Sequence, residues 1–333
     1  VSELRKDPLI PRWVVMAPER AQRPIEVQDK QRLSAPQFDP FGEGNECATT
    51  SEVLAYRDPD SKPNGPGWRV RVVPNKFPAL RESSAATAEQ HDLYQSMPAI
   101  GVHEVIIEGP RDEANLSHLS DENIREVLMA YRDRFLALKR NPRLAHAIIF
   151  KNQGALAGAS VHHSHSQLIA TPFVPTAIQD ELSGAEEYFQ RHSRCPFEEI
   201  VQQERTTGSR MVAETANFMV FCPYASRFAY ETCLLPKNPG SHFENIQDSA
   251  LGELATLLKL VLRTLEDRLG DPPLNYVLHS APLQAPESPC YRWHFEIFPR
   301  LSRVAGYEWG SACYINEVLP EQAATVLRAA VAH

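Results

Sequence analysis

Two histidines and a glutamine, His163-x-His165-x-Gln167, sit at alternating positions in a stretch whose residues favour a strand. Alternation turns side chains at i, i+2 and i+4 to one face, so two imidazoles and a carboxamide are predicted to point into one volume. A neutral imidazole can attack phosphorus, provided its other nitrogen keeps its proton on an acceptor that fixes the tautomer. Asn152-Gln153-Gly154 and Gly158-Ala159-Ser160 precede the histidines. Their small residues offer backbone N–H groups without bulk, which suits close approach of phosphate oxygens. The plain alternative is a surface histidine cluster, or core histidines satisfied by hydrogen bonds.

The elements that must hold these residues can be read from periodicity. Pro11–Pro18 (closed by Pro18), Val53–Tyr56, Arg69–Val73 and Val102–Glu108 read as strands, and 31–67 is otherwise loop-rich. Ser120 is placed to cap a helix with Ile124, Val127, Leu128, Tyr131 and Phe135 on its apolar face. A second helix is predicted from Asp248 to Leu269, stopped by Gly270. Each helix is followed by a strand (Ala147–Phe150, Tyr276–Leu278), a polar turn, and a histidine-bearing strand (Val161–Ile169, Tyr291–Ile297). The chain therefore reads as a diverged duplication, with an N-terminal half over 1–180, a charged helical connector over 181–194 and a C-terminal half over 195–333.

Composition narrows the class. The 333 residues are 43% hydrophobic and 23% charged, and 34 basic against 42 acidic side chains leave a net charge of -8. Such an acidic balance argues against a nucleic-acid binder. No apolar run is long enough to span a membrane, and the N-terminus lacks the basic-then-apolar order of a signal peptide, so the expectation is a cytoplasmic protein with no membrane partner. Six scattered cysteines without a CxxC pair write neither a disulfide framework nor a local zinc site. Twenty-seven prolines against 15 glycines fit a loop-rich α+β enzyme.

Beyond these local readings, the segments 7–15 with 20–24, 73–80, 101–105, 163–167, 231–237, 279–282 and 305–308 resemble galactose-1-phosphate uridylyltransferases, in the same order and over nearly the whole chain. That family belongs to the histidine-triad superfamily and is built from two such repeats, each an antiparallel sheet with packed helices. The resemblance implies a ping-pong reaction. His165 would attack the α-phosphorus of a nucleotide sugar, release hexose 1-phosphate and hold the nucleotide covalently, with His163 in the same site. Gln167 would hydrogen-bond a phosphoryl oxygen, where hydrolases of the superfamily carry a third histidine. Arg20 and Arg23 would clamp phosphates, although both also read as solvated loop arginines. Asn75, Asn152 and Ser160 match positions that contact the nucleotide, or else cap turns. Gly306, Tyr307 and Glu308 match the motif at the sugar-phosphate end. A symmetric homodimer follows from family analogy alone.

The resemblance breaks at the metal sites and at the acceptor end. Where the family has Cys-Pro-Phe-Cys for structural zinc, this chain has Asp39-Pro40-Phe41-Gly42; Asp39, His103 and His163 are left as a weaker candidate set, with an empty, hydrogen-bonded site the preferred reading. A second Cys-rich site, found in the branch resembling ADP-glucose phosphorylases, is reduced to Cys195-Pro196-Phe197-Glu198. The better candidate for one divalent ion, zinc or iron, is Glu181, His279, His294 and Glu296, matching a family site of one glutamate and three histidines. A buried hydrogen-bond network of the same four residues is the alternative. The family's acceptor-gripping Lys and Gln fall at about Ser302 and Tyr314. The leading expectation is a hexose-1-phosphate uridylyltransferase; the alternatives are an ADP-glucose or dinucleoside-polyphosphate phosphorylase, and a catalytically idle nucleotide- or metal-binding protein.

Overall fold

Five strands and one long helix recur in the same order in each half of the chain. The computed structural model describes residues 2–22, 38–82, 89–91 and 93–331. The first half runs β1 (Glu3–Lys6), β2 (Trp13–Met16), β3 (Leu54–Arg57), β4 (Trp68–Pro74), a small hairpin of β5 (Glu89–His91) and β6 (Tyr94–Ser96), β7 (Val102–Ile107), α1 (Asp121–Lys139), β8 (His146–Gln153) and β9 (His165–Thr171). Helices α2 (Thr176–His192) and α3 (Pro196–Thr207) lead to β10 (Met211–Glu214), β11 (Phe218–Phe221), β12 (Thr232–Pro236), α4 (Asp248–Leu269), β13 (Leu274–His279) and β14 (His294–Pro299). The chain continues through α5 (Gly306–Ser311), β15 (Tyr314–Asn316) and α6 (Pro320–Val331).

Ten of these strands form one sheet, ordered β10-β11-β12-β14-β13-β8-β9-β7-β4-β3. Its halves mirror each other: β3-β4-β7-β9-β8 corresponds to β10-β11-β12-β14-β13, and the two copies meet where β8 pairs antiparallel with β13. This is the duplication expected from the sequence, and the fold is α+β as expected. A separate three-stranded sheet, β1-β2-β15, brings the start of the chain against its end.

The two long helices follow their sequence signals. The Ser120 side chain accepts the Asn123 N–H at 3.2 Å, and α4 stops at Gly270 with φ +75°. Both helices bury an apolar face, with Ile124, Val127, Leu128 and Phe135 of α1 and Leu254, Leu257, Leu258, Val261 and Leu265 of α4 in one core. Among the described residues, no helix is long and apolar enough to cross a membrane. On β9, Ser166, Leu168 and Ala170 are buried, and the Ser166 hydroxyl accepts a 2.6 Å bond from Tyr131 of α1. His165 and Gln167 are thereby directed to the opposite face of the sheet.

One correction concerns the histidine strand, which begins at His165 rather than at Val161. His163 lies in the preceding turn, because its ring is drawn to Asp39 and to the Gly109 carbonyl. Helix α2, which covers part of the predicted connector, packs its backbone against the N-terminal loop. A Cβ on Gly184 would stand 1.7 Å from the Leu9 carbonyl oxygen. Gly184→Ala is expected to cost about 1–3 kcal/mol through overpacking against backbone that cannot yield, read as a lowered urea midpoint; an unchanged midpoint would show that the loop moves away freely.

Candidate active site

His165 opens β9 with its ring in a defined tautomer. Its Nδ1–H donates to the His163 carbonyl at 2.8 Å, which leaves the Nε2 lone pair uncommitted. The residue is 6% exposed, and the Phe41 ring stands edge-on to the imidazole at 5.2 Å. Burial, aided by the Lys151 ammonium, pushes the imidazole down to about 4 despite the favourable bond to the His163 carbonyl. The ring is thus kept neutral well below the ordinary histidine range. A reaction that needs the neutral ring is expected to keep its full rate down to about pH 5 and to lose it as the pH falls through about 4. An acid limb of kcat/KM near the ordinary histidine value of about 6.5 would contradict this.

Beneath the ring lies a buried polar network. Lys151 of β8 donates to Glu108 at 2.5 Å, to the Ser164 hydroxyl at 2.9 Å and to the His165 carbonyl at 3.1 Å. Ser164 also donates to Glu108 at 2.6 Å. On the helix side, the hydroxyls of Tyr131 and Tyr276 are 2.6 Å apart, which ties the two repeats together. Lys151 and Glu108 were missed by sequence reasoning. The local signal is a lysine directly after the apolar run Ala147–Phe150, and its partner is 43 residues away.

Gln167 shares the sheet face of His165, and its Oε1 lies 2.8 Å from Nε2 of His103 on β7. Nδ1 of His103 accepts the Ala79 N–H at 3.1 Å. Both nitrogens of His163 are also engaged, by Asp39 at 2.7 Å and the Gly109 carbonyl at 2.7 Å. Of the expected trio, Asp39 and His163 lie together, whereas His103 is turned to Gln167 and Ala79 and is not in their group. Asp112 instead joins Asp39 and His163, although its side chain also meets His162 at 2.9 Å.

The remaining expected contacts divide between the two sheets. Asn75 adjoins His103, with its Nδ2 3.2 Å from the ring. Asn152 accepts a 2.8 Å bond from Asn275, its neighbour in the other repeat, and Ser160 is exposed. Arg20 lies in the short 3-10 helix Pro18–Gln22 that follows β2, near Glu317 at 3.8 Å, while Arg23 lies outside the described residues. Gly306, Tyr307 and Glu308 start α5, where Glu308 caps the helix by accepting the Ala305 N–H at 3.0 Å. These residues belong with the small sheet, not with the strand that bears His165.

The second repeat repeats the histidine geometry with a different outcome. His294 opens β14 as His165 opens β9, and its Nδ1 donates to the Arg292 carbonyl at 3.0 Å. Its Nε2 meets Glu181 at 3.1 Å, and His279 Nδ1 meets the same carboxylate at 3.2 Å. Glu181 accepts further from Tyr291 at 2.9 Å. Glu181, His279 and His294 form a buried nitrogen and oxygen donor set that fits a divalent ion. Glu296 is corrected out of it, because its carboxylate is held by Arg227 at 2.8 Å and lies 3.9 Å from His279. Burial alone would raise the Glu296 carboxyl, but Arg227 and the two histidines outweigh it and bring Glu296 down to about 2. Arg227, outside every motif, gave no sequence signal of this.

Comparison with known proteins gives matches along the whole chain. The model described as galactose-1-phosphate uridyl transferase, N-terminal domain, matches residues 1–175, and that for the C-terminal domain matches residues 181–333. ADP-glucose phosphorylase from Arabidopsis thaliana is 36% identical, over 98% of this chain and 92% of the relative. Galactose-1-phosphate uridylyltransferase from Haemophilus influenzae is 29% identical, over 98% of this chain and 93% of the relative. The crystal structure of the Arabidopsis thaliana ADP-glucose phosphorylase with bound ADP-glucose superposes with a TM-score of 0.84 at 35% identity, covering 98% of this chain and 99% of that one. A uridylyltransferase structure superposes with a TM-score of 0.78 at 28% identity, over 100% of this chain and 99% of that one.

Proposed function

The chain belongs to the galactose-1-phosphate uridylyltransferase family, whose enzymes act on nucleotide sugars, and from that premise we infer that it is a nucleotide-sugar phosphorylase working through a nucleotidyl-histidine, with ADP-glucose as donor and inorganic phosphate as acceptor. The observation that carries the chemistry is the neutral His165 ring with Nδ1 committed to the His163 carbonyl and Nε2 free. Nε2 attacks the α-phosphorus, the bond from that phosphorus to the sugar-phosphate oxygen breaks, and glucose 1-phosphate leaves with the electron pair. An oxygen of inorganic phosphate then attacks the same phosphorus, the P–N bond breaks, and ADP departs while His165 returns to its neutral form. Leaving group and incoming nucleophile are both phosphate oxygens of low basicity, so positioning and charge stabilisation supply most of the catalysis.

The choice of donor and acceptor rests on two supports. The ADP-glucose phosphorylase is the more similar of the two relatives described, at 36% against 29% identity. The second support is Tyr314, at a position where uridylyltransferases grip the acceptor sugar phosphate. It stands edge-on to Phe228 at 5.4 Å and packs beside Val14 and Met16. The uridylyltransferase reading draws on the match of both domain models. Glu181, His279 and His294 would hold a divalent ion, zinc or iron, which when bound supplies a cross-link between α2 and the paired strands β13 and β14.

Intact mass after incubation with ADP-glucose or UDP-glucose separates the readings. An adenylyl adduct that phosphate releases as ADP is expected. A uridylyl adduct discharged only by hexose 1-phosphate would replace the phosphorylase reading with the uridylyltransferase one, and tight nucleotide binding without any adduct would leave an idle scaffold.

A further inference from the structure

His103 has both ring nitrogens committed, and the direction of each bond can be deduced. The Ala79 backbone N–H can only donate, so Nδ1 of His103 is an acceptor and the ring proton sits on Nε2. That proton meets Gln167 Oε1 at 2.8 Å. The amide of Gln167 is therefore fixed with oxygen toward His103 and NH2 turned away, and among the described residues that NH2 has no hydrogen-bond acceptor. Asn75 behaves alike. Its Oδ1 accepts the Phe77 N–H at 2.9 Å, and its Nδ2, 3.2 Å from the protonated Nε2, finds no lone pair there. Its backbone N–H also donates to the His103 carbonyl at 2.8 Å. One imidazole thus joins the 75–79 loop to the strand of His165 and leaves two carboxamide NH2 groups unspent.

We propose that His103 is a positioning residue that fixes the Gln167 carboxamide with its NH2 toward the phosphoryl oxygens, so that Gln167 and Asn75 stabilise charge on the transferring group. This rests on the reading of His165 as the nucleophile. A carboxamide free to turn would present oxygen to a phosphoryl oxygen half of the time and would lose its preorganisation. Donors fixed before the reaction cost no reorganisation during it, and removing one such donor costs on the order of 100-fold in rate.

The test compares His103→Gln, which can still donate to Gln167, with His103→Leu, which cannot, and His103→Glu, which offers only acceptors and would turn the amide around. Single-turnover formation of the His165 adduct from ADP-glucose and UDP-glucose is the readout, with melting temperatures as a check on folding. His103→Leu is expected to lose roughly 100-fold in rate at saturating donor with little change in half-saturation. His103→Gln should recover most of that loss, and His103→Glu should recover none. In a Gln167→Ala background the same three substitutions should differ by less than about 3-fold, because the group they orient is gone. Equal rates for the Leu and Gln variants, or a full loss that persists without Gln167, would overturn the proposal while leaving the nucleophile intact. If wild-type protein forms no adduct with either donor, the functional reading fails and this inference fails with it. Should the Leu variant not fold, the Gln and Glu variants alone decide, since they share size and differ in polarity.

Discussion

Replacing His165 by alanine abolishes the nucleotidyl adduct and lowers turnover by on the order of 10⁴–10⁶-fold, the range seen when a covalent nucleophile is removed. The effect is expected to be this large because no second group can substitute. His163, the nearest imidazole in sequence, has one nitrogen on Asp39 and the other on the Gly109 carbonyl. His294, its counterpart in the second repeat, faces Glu181 with the equivalent nitrogen. Gln167 has no nucleophilic nitrogen. Because the ring is buried, His165→Asn serves as a control of closer volume: it should melt near wild type and still show no adduct in alkaline-quenched intact mass. Turnover retained in both variants would require a direct transfer with no covalent step, and the role of His165 would have to be abandoned.

The two repeats explain which parts of this site were legible in the sequence. Periodic segments came through because one physical pattern dominates them: α4 spans Asp248–Leu269 as expected, and β2, β4 and β7 fall on the predicted strands. The histidine strand was read too long because 161–164 carries strand-forming residues, yet His163 has acceptors outside the sheet that pull the chain into a turn. Polar partners were the least legible. His103 and Glu296 both match family metal ligands by position, but the groups that divert them, Ala79 N–H with Gln167 and Arg227, are reached only through the folded sheet. Ligand identity at matching positions says which atoms are near. It does not say whether their lone pairs are already spent.

Lys151 shows the same principle in stability. Its ammonium and the Glu108 carboxylate are 1% and 0% exposed and 2.5 Å apart. Removing one member of such a pair leaves the other charged and buried, so Lys151→Met is expected to cost about 3–5 kcal/mol in denaturant unfolding. Lys151→Met combined with Glu108→Gln should regain much of that loss, because no uncompensated charge remains. A functional shift should accompany the single change. The ammonium helps hold the His165 imidazole down to about 4, while Glu108 acts in the opposite direction. Without Lys151 the Glu108 carboxylate acts on the imidazole unopposed by the ammonium, so the acid limb of nucleotidylation should move upward from about 4, while burial, which stays, holds it below the ordinary histidine value. The double substitution removes both charges and should bring the limb back down, since burial remains as the main cause. A single variant with wild-type stability and an unmoved acid limb would show that the buried pair neither supports the fold nor tunes the nucleophile.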